Sequence, residues 1–184
     1  MDDQLHLRPV QEEDLPLLYR LTSDPVGSGE FGWFGWLDPG IFRRQWAENG
    51  LLGEDGGFLV VAKGAESAGF MNWRKHKTGT VSHCWEIGIA LAPEVRGRGY
   101  GTQAHRLLTE YLFAHTLVNR IEAITETGNI AKQRALEKAG FTHEGVLRGC
   151  GWRDGRWVDG VLYSVLRSDV AGLGLAAGSG SGSG

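Results

Sequence analysis

The chain changes its hydrophobic period once, abruptly, and that change limits what it can become. Over residues 82–91 (Ser-His-Cys-Trp-Glu-Ile-Gly-Ile-Ala-Leu) apolar side chains recur every second position. Trp85, Ile87, Ile89 and Leu91 share one face of a strand; Cys84, Glu86, Gly88 and Ala90 share the other. From Gly101 the apolar positions become Ala104, Leu107, Leu108, Tyr111 and Leu112, the spacing of a helix. Between them lies Ala-Pro-Glu-Val-Arg-Gly-Arg-Gly-Tyr-Gly-Thr-Gln, residues 92–103. Glycines 97, 99 and 101 leave its backbone nearly bare, so φ can turn positive and a ligand can reach the main-chain N–H groups. Arg96 and Arg98 make the turn cationic. A cationic strand-to-helix turn at the positive end of a helix dipole suits an anion.

The remaining segments supply a sheet around this unit. Residues 5–10 alternate like a strand, 11–24 read as a short helix with an acidic start, and 27–40 interleave glycines with aromatics. Asp38-Pro39 reads as N-cap and first helical residue of a helix over 40–49. Strands are expected over 57–63, 67–76 and 120–126, and a helix over 129–140 capped by Asn129 and closed by Gly140. Two further strands, 141–152 and 156–167, flank Arg153-Asp154-Gly155-Arg156, whose Asp-Gly pair signals a hairpin. The order β-α-α-β-β-β-α-β-α-β-β predicts an α/β chain with a mixed sheet and helices on both faces.

Composition narrows the choice of anion. Nineteen Lys and Arg stand against 22 Asp and Glu, for a net charge of −3 and a pI near 6.1, which argues against nucleic acid. A P-loop requires a lysine after its glycines, and none follows here. A dinucleotide fingerprint is Gly-x-Gly-x-x-Gly at a first βα turn; this run is Gly-x-Gly-x-Gly, deep in the chain. Cys84 and Cys150 show no metal spacing and read as reduced thiols, so no metal site and a cytoplasmic location are expected. No window is apolar enough for a membrane span. Residues 1–170 read as one domain and 171–184 as a flexible Gly/Ser tail of the kind appended in cloning.

Arg96-Gly97-Arg98-Gly99-Tyr100-Gly101 resembles the acetyl-CoA pyrophosphate motif, Gln/Arg-x-x-Gly-x-Gly/Ala, of the GNAT N-acetyltransferases. The resemblance spans most of residues 5–168, and segments 85–104 and 129–148 resemble the RimJ/RimL branch, which acetylates ribosomal-protein N-termini. It implies the GNAT fold, with a mostly antiparallel central sheet, and acetyl-CoA as cofactor with coenzyme A as product. It places the pyrophosphate on residues 96–102 (Arg96, Gly97, Arg98, Gly99, Tyr100, Gly101 and Thr102). It lays the pantetheine arm along the backbone of Ile89, Ala90 and Leu91, with Asn129 as a hydrogen-bonding partner. Glu86 becomes the candidate general base, or else a carboxylate paired with a nearby cation, and His83 is structural. Leu136 stands where many of these enzymes carry a tyrosine acid, and Lys132 where this branch often has serine, so the thiolate has no evident proton donor. Trp33, Phe34 and Trp36, with Phe31, fall in the region that walls the acceptor pocket, or plug the sheet end. Glu30, Asp38, Asp154 and Asp159 are the carboxylates expected near its mouth.

The implied reaction is direct transfer of acetyl to a primary amine in a ternary complex, with a backbone N–H of the strand as oxyanion donor. The acceptor is a protein N-terminus or a small-molecule amine; antibiotic detoxification, or a non-catalytic coenzyme A sensor, is the alternative. No nucleic-acid or membrane partner is expected, and the state is monomer or homodimer.

Overall fold

The computed structural model describes residues 4–171. β1 (Leu5–Pro9) leads through a 3-10 turn into α1 (Leu15–Ser23), α2 (Pro25–Ser28) and α3 (Ile41–Asn49). Then come β2 (Leu52–Gly53), β3 (Gly56–Lys63), β4 (Glu66–Lys77), β5 (His83–Leu91) and α4 (Tyr100–His115). β6 (Arg120–Glu126), α5 (Ile130–Lys138), β7 (Thr142–Arg153), β8 (Arg156–Leu166) and α6 (Arg167–Ala171) complete the chain. Ala171 closes α6; the rest of the expected tail, 172–184, lies outside the described residues.

The sheet runs β1-β3-β4-β5-β6-β8-β7, with β2 paired to β3. Every pairing is antiparallel except β5 with β6. The expected mixed, mostly antiparallel α/β architecture is therefore the observed one. Its core joins Leu18 and Leu21 of α1, Val60, Val61 and Met71 of β3 and β4, Leu108 and Leu112 of α4, and Ile121 of β6.

Local chemistry explains most boundaries. The hairpin turns through Asp154 (φ 51°) and Gly155 (φ 77°), two left-handed residues in succession, as a type I′ turn requires. Asn129 caps α5 by accepting the Lys132 N–H at 3.2 Å. Two departures from expectation have a visible cause. α3 starts after Gly40, because the Asp38 carboxylate takes the Gly40 N–H (2.8 Å) and the Arg44 guanidinium (2.5 Å) instead of capping the first turn. Asp24 instead caps the unforeseen four-residue α2 by accepting from Val26 and Gly27.

One feature of the sheet sets up the site. β5 and β6 pair only at Trp85–Ile121 and Glu86–Glu122. β5 continues five residues further, to Leu91, and β6 four further, to Glu126. The two parallel strands diverge beyond Glu86, leaving facing backbone edges unpaired.

Candidate active site

The glycine turn lies beyond the diverging end of β5. Gly97 (φ 77°) and Gly99 (φ 81°) are left-handed, and a Cβ on either would meet nothing within 4 Å. Gly99 is the N-cap of α4, and no side chain caps this helix. Uncapped N–H groups therefore stand beside open space, which suits an anion such as a pyrophosphate. The two arginines divide their duties. Arg96 donates to the carbonyls of Leu91 (3.0 Å), Gly27 (2.9 Å) and Ser28 (3.3 Å), so its guanidinium clamps α2 to the turn. Arg98 is exposed and makes no hydrogen bond or ion pair among the described residues.

At the last paired rung before the divergence, Glu86 receives Arg74 Nη2 on Oε1 at 2.7 Å, and its side chain is 18% exposed. Its partner on that rung, Glu122, accepts from Arg120 Nε (2.6 Å) and lies 3.2 Å from His76 Nδ1. Burial pushes the Cys84 thiol up to about 12, with help from the charge of Glu122 and a hydrogen bond to it. The ligand atoms of His76, Cys84 and Glu122 lie within 4.8 Å of one another. No sequence spacing announces this cluster; here it is a hydrogen-bonded group neutralised by Arg120. Across the divergence, Lys132 Nζ donates to the Ile124 carbonyl at 3.2 Å. Burial pushes that ammonium down to about 8, opposed by the charge of Glu86.

The aromatic loop departs from expectation. Phe34 and Trp36 are 71% and 75% exposed, and Trp36 meets Trp33 edge-to-face at 5.9 Å. A cavity of about 540 Å³ opens between this loop, the β6–α5 turn and the β7–β8 hairpin. Its lining includes Glu30, Phe31, Glu126, Arg153, Trp157 and Asp159, but none of Trp33, Phe34 and Trp36. Phe31 is the ring that reaches across, with the Arg153 guanidinium 5.1 Å from its centroid. Arg153 Nη2 donates to Glu126 Oε2 at 2.6 Å, while Arg153 Nε and Glu126 Oε1 are buried without partners. Of the expected carboxylates, Glu30 and Asp159 line this cavity; Asp38 is committed to Arg44.

A strand-to-helix glycine turn thus follows β5 where that strand has parted from the parallel β6. The model of the Acetyltransferase (GNAT) domain matches residues 4–142. The chain belongs to the GNAT acetyltransferase family. The acetyltransferase is 28% identical over 177 residues to the uncharacterized N-acetyltransferase p20 of Bacillus licheniformis, covering 92% of this chain and 97% of that one. It is 31% identical over 131 residues to YdaF of Bacillus subtilis strain 168, a provisionally named ribosomal N-acetyltransferase, covering 71% of this chain and 68% of that one. Its fold matches the spermidine N-acetyltransferase of Vibrio cholerae solved with CoA and spermine, with a TM-score of 0.76 at 19% identity, over 91% and 98% of the two chains. The chain is accordingly an N-acetyltransferase by family and by fold.

Within this acetyltransferase, Glu86 and Ile89 to Leu91 lie on β5, the glycine turn joins β5 to α4, and Asn129 caps α5 after β6. Leu136 is fully buried in the core and has no polar atom to offer. Sequence reading passed over the cavity pair Glu126–Arg153, because a strand end and a hairpin 27 residues apart carry no shared local signal. It also passed over Asn72 of β4, whose amide would sit 2.5 Å from a Cβ at Gly88; glycine there makes room for it beside Glu86.

Proposed function

We propose that the chain transfers the acetyl group of acetyl-CoA to a primary amine held at the mouth of the parted strands. The divergence of β5 from β6 carries this reading: it leaves backbone groups free to bind an amide-bearing arm, ending at the uncapped start of α4. The CoA present in the fold neighbour from Vibrio cholerae supports the same donor. Arg98 and the N–H groups from Gly97 to Thr102 would hold the pyrophosphate, Ile89 to Leu91 and Asn129 the pantetheine, and the donor would supply an activated acyl group. Glu86, or a water it orients, would take the proton of the attacking amine.

The acceptor is a protein N-terminus, as the RimJ/RimL resemblance and the likeness to YdaF suggest, or a small amine. The cavity beside Phe31, with carboxylates on Glu30, Glu126 and Asp159, is the place we assign it. We also propose one domain over residues 1–170, a cytoplasmic setting consistent with two free cysteines, and a monomer or homodimer. Among the described residues no helix is long and apolar enough to cross a membrane. Thiol release from acetyl-CoA with a panel of peptides and small amines, products read by mass spectrometry, tests the reading. Turnover with an amine is expected, and absence of both binding and turnover would sink it.

A further inference from the structure

Lys132 sits in the first turn of α5, three residues after the cap Asn129, and its side chain runs back to the Ile124 carbonyl of β6. That carbonyl lies on the open side of the strand. The Thr127 N–H bonds to the Asp159 carbonyl of β8. Backbone groups alternate sides along an antiparallel ladder. Ile124, three residues earlier, therefore turns its N–H and C=O towards the space β5 has left. The Lys132 ammonium thus stands inside the divergence, on an edge without a ladder partner, and forms no ion pair among the described residues.

Resting on the donor site proposed above, we propose that the Lys132 ammonium is the acid that protonates the sulfur of the departing thiolate. Leu136, wholly apolar and buried, cannot do this. As the acceptor nitrogen bonds to the acyl carbon, the C–S bond breaks and its electron pair passes to sulfur. A proton from Lys132 Nζ moves to that sulfur, giving the free thiol. The surplus proton of the amine goes to Glu86 or to adjacent water, and neutral Lys132 regains a proton from solvent. Until transfer, the ammonium also steadies the negative charge gathering on sulfur.

The titratable groups around Lys132 leave this assignment to it. Glu86 faces it from β5 and is itself bonded to Arg74 of β4. From α4 comes His105, fully buried, with Nδ1 2.6 Å from the Gly101 carbonyl. Burial, together with the charge of Lys132, pushes His105 down to about 4, so it is neutral where Lys132 ionises, near 8. Beyond Glu86, the Cys84 thiol stays protonated.

A lysine that merely caps the Ile124 carbonyl would not act on a sulfur. The test follows the thiolate absorbance of CoA bound to the full chain between about pH 6 and 10, bracketing an ordinary thiol. In the wild type the bound thiol should ionise about 1 pH unit or more below that of free CoA, as beside a cation. Lys132→Met should abolish the lowering and reduce kcat about 10²-fold, and Lys132→Arg should keep the lowering. The acetyl-CoA shift in melting temperature should survive in Lys132→Met. A wild-type bound thiol that titrates like free CoA overturns the proposal without any variant. So does an unchanged titration in folded Lys132→Met, or an acetyl group found on Lys132 itself, which would make it an acceptor. If neither acetyl-CoA nor CoA binds the wild type, the donor site fails and this inference with it.

Discussion

Glu86 and Arg74 form an ion pair whose arginine is 69% exposed, so the pair adds only about 0–1 kcal/mol to stability. Glu86→Gln should therefore leave the melting temperature nearly unchanged. As the base, its loss should lower turnover about 10²-fold with donor affinity intact, and the deficit should shrink at high pH, where free amine is abundant. Thiol-release rates across pH measure this. Full activity at neutral pH would move the base to Glu144, Asp154 or water, and Glu144 is already held by the two terminal nitrogens of Arg120 and by Ser164. The two cysteines give a second reading of local environment. Cys84 is fully buried with its thiol held protonated, and Cys150 is exposed. Brief alkylation of the native protein should place a single label, on Cys150, by peptide mass spectrometry; labelling of Cys84 at an equal rate would mean that the β5–β6 junction opens readily.

The glycine turn and the aromatic loop are tested as elements. Gly99 is left-handed, so Gly99→Ala should cost about 1–2 kcal/mol through backbone strain. Gly101 lies inside α4, where a Cβ would meet Ala135 at 3.7 Å and Leu91 at 4.0 Å in ordinary contact. Gly101→Ala should therefore raise stability by about 0.4–1 kcal/mol. Thermal melts with and without acetyl-CoA separate the two effects: a smaller ligand shift in Gly101→Ala, despite its stabler fold, marks close approach of the donor. In the loop, Phe31→Ala should raise the acceptor KM about tenfold, near 1.4 kcal/mol of binding, because Phe31 lines the cavity. Trp36→Ala should leave stability alone, as its ring is largely in solvent. If Trp36→Ala raised KM while Phe31→Ala did not, the acceptor would lie along the exposed rings instead.

Across the whole molecule, two charge networks join distant parts of the sheet. Arg8 of β1 grips Asp14 through two nitrogens (2.6 and 2.9 Å), and Ser67 of β4 donates to the same carboxylate. Burial alone would push Asp14 up, but these bonds and the Gln11 N–H outweigh it and hold the carboxyl below its usual range. Glu122 is likewise lowered, since Arg120, Cys84 and His76 together outweigh its burial. A depressed carboxylate stabilises the fold above its unfolded pKa, near 4, and that contribution fades as pH falls through the lower folded value. Denaturation midpoints should accordingly hold above about pH 5 and drop below about pH 4. Asp14→Asn, which leaves Arg8 without its partner, should cost about 3 kcal/mol at neutral pH and flatten the acid slope.

What the sequence determined by itself is whatever short-range chemistry decides. The period-2 run of β5, the change of period after the glycine turn, the Asn129 cap and the Asp154-Gly155 hairpin all follow from φ/ψ preferences and bonds spanning a few residues. The family resemblance rested on the same local segments. Tertiary structure decided where side chains go once the sheet assembles. Arg96 looks like an anion ligand beside its glycines, yet three carbonyls, two of them nearly 70 residues away, take its guanidinium. Phe31, rather than its exposed neighbours, meets Arg153 because the hairpin folds back over the loop. The parting of β5 from β6 is written in neither strand, since pairing depends on how both pack between α4, α5 and β8. The place of Lys132 follows from that parting: the gap leaves the Ile124 carbonyl without a ladder partner, the lysine from the first turn of α5 donates to it, and burial lowers the pKa of its ammonium.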